Sequence, residues 1–250
     1  MHLLVSKESI LNRIPVNLAQ RQVFLLEGIR YCANSISLSY EQLYGELEKI
    51  SSISDHTKPP YGVFYKVISE AWTVIDWTHR LTVLLSSIST KSDPSAIGEN
   101  FAYLLKAREF RNTLQHIEER IDEHILSQNA PVWGTLAWIQ YVKDDLRRTY
   151  VLMAGHPREG FMFRFNNPLA FSLATPIDHI TLDAVVKRPT YQIESLDLSE
   201  LLSRIKTIIR NLESHLETQF AAHEGLGVFP QDFFLSLDVR PDNCQTTSMD

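Results

Sequence analysis

Apolar residues recur along the first part of the chain at the spacing of amphipathic helices. Residues 17–54 form one such stretch, in which Asn17 is a candidate N-cap. Every seventh position of this stretch is apolar on the same face: Ile29, Ile36, Leu43 and Ile50. Residues 62–89 form a second stretch with a wider apolar surface. The pattern therefore predicts two long helices that bury one face each.

A third periodic stretch, residues 95–128, predicts another long helix with a highly charged polar face. Its apolar stripe falls on Tyr103, Ala107, Phe110, Leu114, Ile117, Ile121 and Ile125. At about 100° per residue, Arg108, Asn112 and His116 line up on the opposite face. Arg111 lies about 140° from His116 around the axis, and its long side chain can still reach a shared phosphate.

The pattern changes after Pro131 to short segments that are rich in aromatic and β-branched residues. These segments predict strands over 135–142, 148–155, 160–166 and 180–186, which we expect to form a small antiparallel sheet. Residues 191–198 then lead into a final amphipathic helix at 198–222. The apolar face of this helix contains Leu201, Leu202, Ile205, Ile208, Ile209, Leu212 and Leu216.

This order of elements predicts an α+β fold that is mainly α, with a bundle of long helices and an inserted small antiparallel β-sheet. We divide the chain into a helical bundle over 1–130, an inserted β region over 131–197, and a C-terminal segment over 198–250. In that last segment the final helix returns to the bundle and a polar tail follows it.

Length, charge and cysteine content narrow the class of protein. A chain of 250 residues can form one large or two small domains. The net charge of -6 argues against a general DNA-coating protein or a polybasic membrane binder, but it allows a local basic cleft. The two cysteines, Cys32 and Cys244, form no disulfide framework and no zinc pattern. The first ten residues lack the charged and apolar regions of a signal peptide, and no apolar stretch reaches membrane-spanning length, so we expect a cytoplasmic protein without a membrane partner.

An arginine, an asparagine and a histidine recur with the same spacing in two predicted helices. The first copy is Arg111, Asn112 and His116, and the second is Arg210, Asn211 and His215. Arginine binds phosphate through a planar fork of N–H groups, and histidine transfers protons near neutral pH. We expect Arg111 to bind the phosphate of RNA, His116 to transfer a proton and Asn112 to orient them. Arg108 and Arg120 are candidate substrate-binding residues on the same helix.

The alternative interpretation of both copies is structural. Glutamates at helical spacing can form ion pairs with Arg111, Arg120 and their neighbours, which would make a solvated helix face: Glu109, Glu118, Glu119 and Glu123. In the second copy, His215 lies toward the edge of the apolar stripe, where it can be a packed or capping residue.

Residues 107–120, AREFRNTLQHIEER, resemble the signature helix of the HEPN superfamily, the higher eukaryotes and prokaryotes nucleotide-binding domains. The resemblance covers about residues 17–128 and does not include the strands. It implies a helical bundle, metal-independent cleavage of RNA at Arg111, Asn112 and His116, and a homodimer in which two motifs face one cleft. Members of the superfamily occur in toxin–antitoxin and defence systems, so an antitoxin or regulatory protein is an implied partner.

We therefore expect a metal-independent endoribonuclease that requires no cofactor. No glycine-rich phosphate loop and no HExxH metal motif is present in the sequence. Two alternatives are a helical module that binds RNA or a small nucleotide without cleavage, and a protein-interaction module.

Overall fold

Helices α1, Gln20–Ser51, and α2, Val63–Ile88, pack along each other in a computed structural model. The structure describes residues 3–53, 62–88, 98–125, 130–143, 146–155, 176–188, 190–221 and Asp232. Both helices confirm the predictions from periodicity. The predicted cap at Asn17 is wrong, because α1 begins after Ala19, whose N–H donates to Gln22 Oε1 at 3.3 Å. A turn that joins Leu18 N–H to Pro15 C=O precedes the helix.

The third helical stretch is interrupted, so the prediction of one continuous helix over 95–128 is wrong. It consists of α3, Gly98–Leu104, α4, Lys106–Gln115, and α5, Ile117–Arg120, followed by a π-helical turn, Ile121–Ile125. The breaks fall at Leu105 and at His116, where φ is -112° and ψ is 38°. Residues 95–97 and 126–128 lie outside the described residues.

The described residues include an antiparallel sheet of four strands: β1, Thr135–Lys143, β2, Leu146–Met153, β3, Ile177–Arg188, and β4, Thr190–Asp197. The strand order is β2-β1-β3-β4. This sheet confirms the predicted strands over 135–142, 148–155 and 180–186, with ends that differ by at most three residues. Residues 191–198, interpreted from the sequence as a lead into a helix, belong mostly to the fourth strand. The predicted strand over 160–166 lies outside the described residues.

Helix α6, Leu198–Phe220, begins directly after β4 and confirms the prediction of a helix at 198–222 over those residues. Asp197 ends the strand and also caps the helix, since its Oδ1 accepts the Glu200 N–H at 2.9 Å. The molecule is thus an α+β protein that is mainly α, with a small antiparallel sheet, as its sequence predicts.

A large hydrophobic core joins the helices to the sheet. It contains Ile36 of α1, Ile75 of α2, Leu136 and Leu182 of the sheet, and Ile205 of α6. At the end of α1, the indole N–H of Trp138 donates to Ser51 Oγ at 2.8 Å, which fixes β1 against that helix. The division of the chain at residues 130 and 197 stays a prediction.

The packing partners of α3 and α4 account for the interruption between them. Helix α3 packs mainly against α6, whereas α4 packs against α2 and β3. Each segment therefore turns its apolar side to a different neighbour. This arrangement puts Arg111 of α4 beside α2 and leaves His116 at the end of α4.

Candidate functional site

Arg111 is held against α2 by an ion pair that the sequence did not suggest. Its Nε–H donates to Asp76 Oδ1 at 2.8 Å, and its Nη1 donates to Gln115 Oε1 at 2.9 Å. The other oxygen of Asp76, Oδ2, accepts from Nε of Arg80 at 2.8 Å. A single carboxylate thus orients two guanidinium groups, one on each helix. The three charges leave a net positive charge at this position.

The protonation states within this group follow from its surroundings. Burial raises the pKa of Asp76, but the hydrogen bonds from Arg80 and Arg111 outweigh burial and hold the pKa below its ordinary value. Burial, followed by the positive charge of Arg111, lowers the pKa of His79. At neutral pH the carboxylate is therefore ionised and the imidazole of His79 is neutral.

His116 lies at the break between α4 and α5 with an exposed side chain. Its backbone N–H donates to the Asn112 carbonyl at 3.1 Å, which closes the last turn of α4. Its Nδ1 is 3.8 Å from Glu119 Oε2, which is beyond hydrogen-bonding distance. Among the described residues, no hydrogen bond or ion pair joins the side chains of Arg111 and His116. The side chain of Arg111 is bound to Asp76 of α2, whereas the side chain of His116 is accessible to solvent.

Thr113 anchors the part of α4 that carries the motif. It is buried between the half-buried residues Asn112 and Leu114, and its hydroxyl donates to the Val185 carbonyl of β3 at 2.7 Å. This bond fixes α4 to the sheet, so Arg111 and Asn112 project from a segment that is held on two sides.

The two candidate substrate-binding arginines have different surroundings. Arg108 is exposed on α4. Arg120 is buried, lies 4.6 Å from the centre of the Tyr191 ring and donates to the Tyr191 hydroxyl. Its Nε has no hydrogen-bond partner among the described residues. Arg120 thus packs α5 against β4, and substrate binding by Arg108 or Arg120 stays a prediction.

The second copy of the motif lies elsewhere on the molecule. Arg210, Asn211 and His215 are all exposed on α6, so His215 is not a packed residue. His215 Nε2 lies 2.8 Å from Gln219 Nε2, one turn along the helix. No hydrogen bond or ion pair between described residues joins this copy to Arg111, Asn112 or His116. The structure therefore does not bring the two copies into one site.

The alternative of a solvated face with local ion pairs is found only in part. Arg111 pairs with a different helix rather than with Glu109, Glu118 or Glu119. Glu119 lies 3.9 Å from Arg120 Nη1, on the same helical segment. The side chain of Glu123 lies outside the description.

A groove borders the motif on the side of the sheet. Its volume is about 1020 Å³, and Asp76 and Leu114 lie on its wall. Exposed aromatic side chains contribute much of the remaining wall: Phe64, Tyr65 and Trp133. Exposed rings can stack on nucleic-acid bases. Trp72 also lines the groove, but its ring is buried and its N–H donates to the Trp133 carbonyl at 3.1 Å.

The sequence did not identify Asp76 and Arg80 as partners of the motif. A signal was present, because three polar side chains, Asp76, His79 and Arg80, lie within five residues of a mainly apolar helix. What the sequence alone did not reveal is that this turn packs beside Arg111.

Within the described ranges, no group of three or more histidine, cysteine or carboxylate side chains is placed to hold a metal ion. None of the helices found there is both long and apolar enough to cross a membrane. Comparison of the chain with protein-family models, curated proteins and solved structures gave no match. The likeness to the HEPN superfamily stays a prediction based on residues 107–120.

Proposed function

We propose that this protein is a metal-independent endoribonuclease of HEPN type, with Arg111, Asn112 and His116 as its catalytic residues. The observation that carries the proposal is the placement of Arg111. The residue that the motif assigns to phosphate binding is half-buried and oriented by Asp76, as a preorganised phosphate ligand should be. Five residues later, the exposed imidazole of His116 is accessible to a substrate.

In the proposed reaction the RNA supplies its own nucleophile. His116 accepts the proton of the 2′-hydroxyl, or returns a proton to the leaving 5′-oxygen. The O2′–P bond forms as the P–O5′ bond breaks, which yields a 2′,3′-cyclic phosphate and a 5′-hydroxyl. Arg111 stabilises the negative charge on the phosphate oxygens, and Asn112 orients the phosphate or the imidazole. DNA lacks the 2′-hydroxyl and is not cleaved.

A homodimer is part of the proposal because a single chain directs Arg111 and His116 to different surroundings. Arg111 is paired with α2, whereas the side chain of His116 is exposed. A second copy can bring its own motif to the same cleft, as the resemblance to HEPN proteins implies. We place the enzyme in the cytosol and expect an antitoxin or another regulatory protein to restrain it.

The second candidate is a helical module that binds RNA, a nucleotide or a protein without cleavage. The ion pair between Arg111 and Asp76 favours it, because this arginine already has a carboxylate partner that also holds α2 and α4 together. Under this alternative, the two charges stabilise the bundle and the exposed His116 has no chemical role.

A cleavage assay in EDTA separates the two candidates. Purified full-length protein is incubated with total RNA and with tRNA, and wild type is compared with His116→Ala and His215→Ala. We expect products with cyclic-phosphate ends from wild type and His215→Ala, and loss of cleavage by at least about 100-fold in His116→Ala. Binding of RNA by wild type without any cleavage would contradict the ribonuclease and support the non-catalytic module.

A further inference from the structure

A cavity of about 400 Å³ lies where α1, α2 and α4 meet. Pockets of this size can hold a small ligand or part of a larger one. Its wall includes His79 and Arg80 of α2 and Arg111 of α4, and the sequence did not connect these two helices. His116 is not among its lining residues.

Asp76 orients the two arginines of this cavity and leaves other N–H donors of their guanidinium groups available. Asp76 accepts from Nε of both Arg80 and Arg111, so it fixes the direction of each side chain. Both terminal nitrogens of Arg80, and Nη2 of Arg111, have no hydrogen-bond partner among the described residues. Two oriented guanidinium groups with unused N–H donors form a suitable site for a phosphate group, which accepts several such bonds.

The charges around the cavity are unbalanced. Arg80, Arg108 and Arg111 all lower the pKa of His79 through their positive charges, after the larger effect of burial, whereas Asp76 raises it. On the side of α1, Cys32 contributes no charge, since burial raises the pKa of its thiol to about 11. Three arginines and one carboxylate therefore act on the imidazole through their charges, and an anion would reduce the excess of positive charge.

Two further charged residues, Arg30 of α1 and Asp232, lie beside Tyr31. Asp232 forms an ion pair with Arg30 at 2.8 Å and accepts from the hydroxyl of Tyr31, whose side chain lines the cavity. These two charges offset each other, so they leave the excess of positive charge at His79 in place.

His79 has an unsatisfied polar atom at this position. Its Nδ1 is buried and has no hydrogen-bond partner in the part of the chain that the structure describes. Buried polar atoms in folded proteins nearly always have a partner, so this imidazole has hydrogen-bonding capacity that the described residues leave unused. A neutral imidazole offers one N–H donor and one acceptor nitrogen.

We propose that this cavity binds a phosphate group through Arg80, Arg111 and His79. The site rests on the proposed function in one respect: in the ribonuclease, the bound group is a phosphate of the RNA substrate. Arg80 and Arg111 neutralise its charge from two helices, and His79 adds a hydrogen bond that the sequence motif does not include. The phosphate is thereby drawn to the side of α4 that faces α2.

Nuclear magnetic resonance of the full-length protein with labelled histidines tests the site without any need for cleavage. The probe is inorganic phosphate, added at constant ionic strength with sodium chloride as balance, and a His79→Gln spectrum assigns the resonance. We expect a saturable shift of the His79 signal and a higher pKa of His79 when phosphate is bound. Arg80→Gln should weaken binding by about tenfold or more, whereas Arg210→Gln, on exposed α6, should change it less than about twofold.

Two results would overturn the site. One is a His79 signal that inorganic phosphate does not move, and the other is an equal affinity in wild type and Arg80→Gln. Cleavage of RNA together with a His79 signal that phosphate does not move would contradict the phosphate site and still support the ribonuclease. Saturable binding of phosphate that depends on Arg80, without RNA cleavage, would support the phosphate site and contradict the ribonuclease.

Discussion

Asp76 of α2 and Arg111 of α4 form an ion pair in which Oδ1 and Nε are 2.8 Å apart. The same carboxylate binds Arg80, one turn along α2, at 2.8 Å, and its bond to Arg111 connects α2 to the helix that carries the motif. The ion pair therefore orients Arg111, the proposed phosphate ligand, before any substrate binds.

Replacing Asp76 by Asn should lower the free energy of unfolding by about 1 kcal/mol at pH 7, a modest loss because the pair is partly exposed. Arg80 and Arg111 lower the pKa of Asp76 in the folded state, despite burial, which raises it. The stabilisation is therefore full above the unfolded pKa and is lost as the pH falls through the folded one. Urea unfolding at pH 7 and at about pH 2 measures both effects.

Asp122→Asn is the matched control for this substitution, because Asp122 is exposed in the π-helical turn after α5. It should unfold like wild type at pH 7. Equal stability of Asp76→Asn and Asp122→Asn would show that the ion pair does not hold α2 and α4 together.

Asp183→Asn should stabilise the protein at alkaline pH. Burial raises the pKa of Asp183 in β3 to about 6, although the hydroxyl of Ser195 donates a hydrogen bond to it. A raised folded pKa means that stability falls as the pH rises from the unfolded pKa, about 4, to the folded value, and the full penalty applies above it. We expect the variant to be more stable by about 1 to 3 kcal/mol at pH 8, with a smaller difference at pH 4.

Thermal or urea unfolding of wild type and Asp183→Asn across this pH range tests the prediction. An amide can still accept the hydrogen bond from Ser195, so the substitution removes only the charge. A variant that is less stable than wild type at pH 8 would show that the ionised carboxylate stabilises β3.

Thr113→Val should weaken the attachment of α4 to the sheet without much change in the size of the side chain. The substitution removes the 2.7 Å hydrogen bond to the Val185 carbonyl inside the protein, at a cost of about 1 to 2 kcal/mol in unfolding free energy. Thr207→Val is the control, since Thr207 is exposed on α6 and bonds to the Ser203 carbonyl of its own helix. If both variants lose the same free energy of unfolding in urea, the hydrogen bond between α4 and β3 stabilises the protein no more than one within an exposed helix.

The hydrophobic pattern predicted the helices and strands that bury a regular face. It failed at β4, where Leu196 is the one buried residue of the strand and the alternation is therefore weak. It also failed at the break at His116, because residues 99–130 contain no glycine or proline that would mark an interruption. There the packing partners, rather than local preference, determine the path of the chain.

The candidate site shows the same division between local and tertiary information. Arg111, Asn112 and His116 could be selected from their spacing on one predicted helix. Asp76 and His79 could not, since they meet Arg111 only through the packing of α2 on α4. That contact depends on residues more than thirty positions apart along the chain.

The most direct test of the central claim is RNA cleavage in EDTA by wild type, Arg111→Lys and Arg210→Lys. Lysine keeps the positive charge but loses the planar fork that binds two phosphate oxygens. We predict that Arg111→Lys cleaves RNA at least about 100-fold more slowly than wild type, while Arg210→Lys differs by less than about twofold. The melting temperature of each variant is measured alongside. Equal rates for all three proteins, or no cleavage by wild type, would contradict a ribonuclease site at Arg111.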